Sequence, residues 1–263
     1  MSAIVLGLVA ALFGPGGQPA ALSTIEINGE TAEVHWSDGD SFKFRSGRFK
    51  GIGTRLMGFN ALESYGPVHA WGDFTGEELY QIAKNAKFEA KSQSWKCTAD
   101  PDKRDHYGRL LVSCPDLTVH MLATGVALGF AIDEDLDPKA VEAQKQAIAA
   151  KKGIWAKGVP DRVITSLHTA GEEAGKPAYN RLADPQTGKA EQVFHSDTYA
   201  ECQQVCMNGS CMVYVPFKRR YGRDRAPCLS WGKGARPPVE AGKAAPTPPP
   251  APADGNEAPA GEE

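Results

Sequence analysis

The chain has 263 residues, 41% of them hydrophobic and 23% charged, with a formal net charge of −3. That length allows one mid-sized domain and a smaller one. The near-balanced charge excludes a globally basic footprint, so any contact with nucleic acid must come from a local patch.

Residues 3–13 form an apolar run ended by Gly14-Pro15-Gly16-Gly17. The run is too short to span a bilayer and reads as a signal-peptide core. Small residues in Ala21-Leu22-Ser23 put the expected cleavage after Ser23, which makes residues 1–23 a signal peptide and leaves no transmembrane span. The plainer alternative is the N-terminus of a cytosolic protein.

Residues 26–36 alternate, with Val34 and Trp36 on one face, and predict an opening strand. Asp38-Gly39-Asp40 is a turn signal. Phe42 and Phe44 then alternate on a second strand, residues 45–48 form a hairpin tip, and a further strand ends at Gly58. Residues 64–75 read as a polar, aromatic loop containing Trp71 and Phe74. Residues 77–93 predict a helix with Leu79, Ile82, Ala83, Ala86 and Ala90 as its apolar stripe. Residues 95–98 and 109–113 read as strands around a polar loop. A second helix over 117–124 stops at Gly125, and a third over 138–152 points Val141, Ala147 and Ile148 inward. Gly153 ends it and Ile154-Trp155 seal it. The periodicity supports a mixed α+β class.

Residues 159–190 are poor in apolar side chains and read as a linker. Residues 191–235 form a separate cysteine-dense unit, and 236–263 are rich in Pro, Ala, Gly and Glu. Such a tail cannot bury a core and is expected to be extended and disordered.

The six cysteines fall into two groups, Cys97 and Cys114, then Cys202, Cys206, Cys211 and Cys228. An even count in local groups reads as disulfides in an oxidising compartment, which implies a secreted or periplasmic protein. Cys97 and Cys114 flank residues 105–109 on paired strands and suit a cross-strand bridge. That closure stabilises by roughly 3 kcal/mol on the chain-entropy estimate. Two buried free thiols are the alternative. In the second group, Cys202 and Cys206 are spaced to share a helix face, while Cys211 and Cys228 open strands over 211–215 and 228–231. Four cysteines allow three pairings, and a four-cysteine zinc site competes.

Asp40, Asn60 and Glu63 fall where strands begin or end, so their oxygens can converge at one sheet rim beside Arg55. Carboxylates with a carbonyl oxygen suit a hard cation such as Ca²⁺, and an arginine suits a phosphate. Plainer readings exist for each. Asp38 and Asp40 could cap their own turn, Arg55 and Glu63 could form a surface pair, and Tyr107-Gly108-Arg109 could be a turn entering a strand. The six histidines show no metal-ligand spacing and read as surface or core residues.

Three blocks occur in order: Asp38-Gly39-Asp40-Ser41, Arg55-Leu56-Met57-Gly58-Phe59-Asn60-Ala61-Leu62-Glu63, and Asp105-His106-Tyr107-Gly108-Arg109. Together they resemble the staphylococcal-nuclease-like (thermonuclease) family over residues 24–158. The resemblance implies a small five-stranded oligonucleotide-binding (OB) type β-barrel with three helices. It also implies a Ca²⁺-dependent endonuclease that hydrolyses DNA or RNA with little sequence preference. Asp40, Asn60 and the Ala61 carbonyl would be the metal ligands. Glu63 would orient or deprotonate the attacking water, and Arg55 and Arg109 would grip the phosphate. Tyr107 and Phe130 would offer rings for nucleotide stacking.

Two departures accompany the match. Asn60 stands where the family carries aspartate, which keeps an oxygen but weakens Ca²⁺ binding. Asp133-Glu134-Asp135 follow Phe130 and oppose a phosphate backbone. Residues 191–235 are similar to the PAN/apple module. That likeness implies pairing of Cys202 with Cys228 and of Cys206 with Cys211, and a protein or carbohydrate ligand. Lys218-Arg219-Arg220 and Arg223-Asp224-Arg225 alternatively suit a polyanion. The rival to the enzyme is a non-catalytic protein of nuclease fold that adheres through its C-terminal unit.

Overall fold

The computed structural model describes residues 23–229. The tail expected over 236–263 and the signal peptide expected over 1–23 lie outside the described residues, except that Ser23 opens the first strand.

Strands β1 (Ser23–Ile27) and β2 (Glu30–Trp36) make an antiparallel hairpin. Its two-residue turn, Asn28-Gly29, has φ of 52° and 84°, the doubly positive geometry that matches the twist of paired strands. β3 (Phe42–Phe44) adds to β2 with Trp36 opposite Phe42, and Ile25, Ile27, Ala32, Val34, Trp36, Phe42 and Phe44 are buried at alternate positions of the three strands. β4 (Thr54–Leu56) and β5 (Gly58–Ala61) are separated at Met57, and Gly58 takes a φ of 90°. β6 (His69–Trp71) follows.

Helix α1 (Gly76–Ala90) begins with a capping box between Thr75 and Glu78 and buries Leu79, Ala83, Ala86 and Ala90. β7 (Lys96–Cys97) runs parallel to β1 and completes a sheet of order β3-β2-β1-β7. β8 (Leu110–Val112) pairs in parallel with β4. Helix α2 (Pro115–Thr124) has proline in its first turn and ends on left-handed Gly125. β9 (Ala127–Phe130) pairs antiparallel with β5, and α3 (Pro138–Ala149) is capped by Asp137.

The remaining strands are β10 (Val163–Leu167), β11 (Ala178–Ala183), β12 (Ala190–His195), β13 (Gln204–Met207) and β14 (Ser210–Val213). They form two antiparallel sheets, β10-β11-β12 and β13-β14-β6. The protein is thus α+β with three α-helices and open sheets, and no ladder closes into a barrel among the described residues. The three disulfides join Cys97 to Cys114, Cys202 to Cys228 and Cys206 to Cys211.

Four expectations need correction. Residues 159–190 are not a linker: they carry β10, β11 and the start of β12, whose Val163, Ile164, Leu167 and Leu182 are buried. The loop over 64–75 contains β6, whose Ala70 pairs with Cys211 of β14. The cysteine-dense part is therefore not separate but shares a sheet with the first half of the chain. Tyr65 and Val68 pack into one core with Ile164, Leu182 and Tyr214. Finally, Cys202 and Cys206 share no helix. Cys202 sits in a turn at φ 67°, Cys206 is on β13, and Cys228 lies in a 3₁₀ turn over Pro227–Leu229 rather than a strand.

Candidate functional site

The turn before β3 sets the site. The Asp38 Oδ1 accepts from the Ser41 hydroxyl at 2.6 Å and from the Asp40 backbone N–H at 3.3 Å, so Asp38 caps its own turn. That cap turns Asp40 inward, where it is 4% exposed. Gly39 lets this happen: a Cβ there would stand 2.7 Å from that of Ala86 on α1 and 2.8 Å from that of Ala61. The Asp40 carbonyl accepts from the Leu56 N–H at 2.9 Å, which docks the turn onto β4.

β4 and β5 bring the second block to the same point. The Asp40 Oδ2 accepts from the Arg55 Nη1 and, at 3.1 Å, from the Ala61 N–H. The other guanidinium nitrogen of Arg55 donates to Asn60 Oδ1 at 2.5 Å. Asn60 in turn donates through Nδ2 to the Ala61 carbonyl at 2.8 Å. Asp40, Arg55, Asn60 and Ala61 thus form one network on the rim of β4 and β5. Burial pushes the Asp40 carboxyl up to about 7, with Arg55 opposing and Asp38 adding to the rise.

Glu63 lies just past β5, held by its backbone N–H donating to the His69 Nε2 at 3.2 Å. Burial raises its pKa. Arg220 opposes that rise most strongly, ahead of Arg55 and Arg109, while Asp38 adds to it. A carboxyl raised in this way is a stronger proton acceptor than an ordinary surface glutamate.

Residues 105–109 fold around Asp105, whose Oδ1 accepts from the Tyr107 and Arg109 backbone N–H groups at 2.9 Å each. Its Oδ2 pairs with the Arg109 Nε at 2.6 Å. Arg109 lies 5.6 Å over the ring of Tyr107, which is 70% exposed. Phe130 ends β9 beside the network, with the Arg55 guanidinium 5.7 Å from its ring centroid. The cysteines stand apart from this chemistry and act as cross-links.

The oxygen set of Asp40, Asn60 and Ala61 matches what a hard cation takes. It holds a single carboxylate, and Asp40 Oδ2, Asn60 Oδ1 and the Ala61 carbonyl each already accept a hydrogen bond from within the chain. Among the described residues no group of three or more His, Cys, Asp or Glu side chains is arranged to hold a metal ion. Such a set carries too little negative charge to hold a divalent cation tightly.

The structure adds residues to the site that the sequence reading left out. His69, taken as a generic histidine, fixes the backbone of Glu63. Its pKa is lowered to about 4 by burial, so it stays neutral and accepts at Nε2. Its position on β6, two residues before buried Trp71, was the available signal. Arg220 and Arg181 come from the second half of the chain. Arg220 lies 4.9 Å over the Tyr65 ring, and Arg181 lies 6.0 Å from the Phe130 ring. A cavity of about 560 Å³ lined by Arg162, Asp184 and Asn208, among others, shares no residue with this site. Compared with known proteins, the chain matches no family model and no curated protein.

Proposed function

We propose that the protein is a secreted or periplasmic phosphodiesterase of the thermonuclease type, acting on DNA or RNA. The observation that carries this reading is the convergence of Asp40, Arg55, Asn60 and Ala61 in one network, with Glu63 and Arg109 electrostatically coupled beside it.

Glu63 takes a proton from water as the water oxygen attacks phosphorus; the P–O bond to the leaving sugar oxygen breaks, and that oxygen takes a proton from solvent to leave as an alcohol. His69 holds the Glu63 backbone in place. Arg55 and Arg109 stabilise charge that grows on the phosphate oxygens. Tyr107 and Phe130 present rings to a nucleotide. Asp40, Asn60 and the Ala61 carbonyl would hold calcium, which when bound supplies positive charge to polarise the phosphate. The OB-type arrangement and the PAN/apple likeness belong to the same proposal. The disulfides support an oxidising compartment.

One observation favours a second reading. Asn60 supplies no charge, and Arg55 already bridges it to Asp40, as a nuclease-fold binding protein without turnover would permit. In that reading, a protein or carbohydrate is bound through the C-terminal half. Incubating single-stranded DNA with the protein in Ca²⁺ and in EDTA separates the two. Cleavage only in Ca²⁺ supports the enzyme. Intact DNA even at millimolar Ca²⁺ leaves the binding protein.

A further inference from the structure

The basic run near the C-terminus folds against the loop that carries Glu63. The Arg225 Nη2 donates to the Tyr65 carbonyl, and the Tyr65 and Tyr221 rings meet edge to face with centroids 6.0 Å apart. Arg220 donates through Nε to the Val215 carbonyl at 3.0 Å and lies over Tyr65 at 4.9 Å. The Cys202–Cys228 disulfide ties down the end of the segment.

Its side chains sort by what they already hold. Arg219 is paired with Glu201 at 2.8 Å. Among the described residues, neither Arg220 nor Arg181 forms an ion pair, while Arg55 pairs with Asp40 and Arg109 with Asp105. The Arg181 Nε is buried without a hydrogen-bond partner. Arg181 and Arg55 face the same Phe130 ring, so the two halves of the chain place cations on one aromatic side chain. Phe217 and Tyr221, on either side of Arg220, are 70% and 58% exposed. Cations that form no direct ion pair, next to exposed aromatic rings, are the elements that hold single-stranded nucleic acid, through phosphates and stacked bases.

We infer that Phe217, Arg220 and Tyr221, with Arg181, form a second subsite continuous with the Glu63 centre, across which a single-stranded polynucleotide is laid. Arg220 and Arg181 take phosphates, and Phe217 and Tyr221 take bases. This rests on the nuclease reading for the identity of the neighbouring centre, but its evidence is separate. The C-terminal half is then part of the substrate surface rather than a free tether.

The test is binding of a fluorescein-labelled single-stranded oligonucleotide in EDTA, followed by anisotropy across a salt series. Arg220→Gln is expected to weaken binding and reduce the slope of log affinity against log salt by about 0.7, the value of one phosphate contact on a single strand. Arg220→Lys keeps the slope. Phe217→Leu with Tyr221→Leu weakens binding by roughly fivefold or more at unchanged slope. Thermal melts confirm that each variant is folded. Affinity and slope that ignore these substitutions overturn the subsite, whether or not the protein cleaves DNA. Binding that follows them in a protein that never cleaves sustains the subsite and removes the nuclease reading. Equal affinity for a sulfated polysaccharide, indifferent to Phe217 and Tyr221, overturns the assignment to nucleic acid.

Discussion

The Arg55 guanidinium donates to the side-chain oxygen of Asn60 at 2.5 Å while its other nitrogen is paired with Asp40. A carboxylate at position 60 would add negative charge to the same oxygen set. Asn60→Asp is therefore expected to tighten Ca²⁺ binding on the order of tenfold, equivalent to about 1.4 kcal/mol. Calorimetric titration of both proteins measures this. Identical isotherms would remove Asn60 from the ligand set.

Gly39 is the steric condition for Asp40 to point inward. Gly39→Ala drives a methyl group into Ala86 and Ala61, two side chains that cannot swing aside. The expected loss is about 1–3 kcal/mol of stability, the usual cost of overpacking. It comes with a weakened Asp40–Ala61 hydrogen bond. Urea unfolding reads the first effect. A variant as stable as the parent would mean that α1 moves away from the turn.

His69 couples the site to pH. Its pKa falls from the unfolded 6.5 to about 4 in the folded protein, because burial opposes its charge. Between those values the unfolded chain binds more protons than the folded one, so stability rises with pH. The His69 contribution is complete above pH 6.5 and is lost as the pH falls toward 4. It amounts to about 3 kcal/mol, and His69→Asn should flatten that part of the pH–stability curve. An unchanged curve would show that His69 is not the group being titrated.

Sequence alone made the local parts readable and hid the distant ones. Alternation located β2 and Gly125 located the end of α2, but the single strand expected over 26–36 is a hairpin, broken where Asn28 and Gly29 both take positive φ. The convergence of Asp40, Arg55 and Asn60 followed from their places at strand ends. By contrast, β10 and β11 are short strands set among Gly, Glu and Lys, whose composition over the whole stretch resembles a linker. Their apolar faces make sense only against Tyr65 and Val68, far away in sequence. The same distance separates Arg220 from Tyr65. Cys202 and Cys206 have helical spacing, yet Cys202 takes a positive φ and Cys206 pairs across a strand ladder with Cys211. Tertiary pairing overrode local periodicity there.

The Cys202–Cys228 bond closes a loop of 26 residues that includes the segment facing Glu63. Cys202→Ser with Cys228→Ser should cost about 3.5 kcal/mol on the chain-entropy estimate. It should also speed amide exchange across residues 217–225. Exchange confined to the cysteines themselves would mean that packing on Tyr65, not the disulfide, holds the segment.

The most direct test of the central claim is the single-turnover rate of DNA cleavage by Glu63→Gln in Ca²⁺, measured beside the parent. Glutamine preserves the shape and backbone contacts of Glu63 but cannot accept the proton from water. The expected result is a loss of roughly 10²- to 10⁴-fold, the contribution of a positioned general base, with DNA affinity largely kept. Cleavage at the parental rate would contradict a phosphodiesterase centred on Glu63.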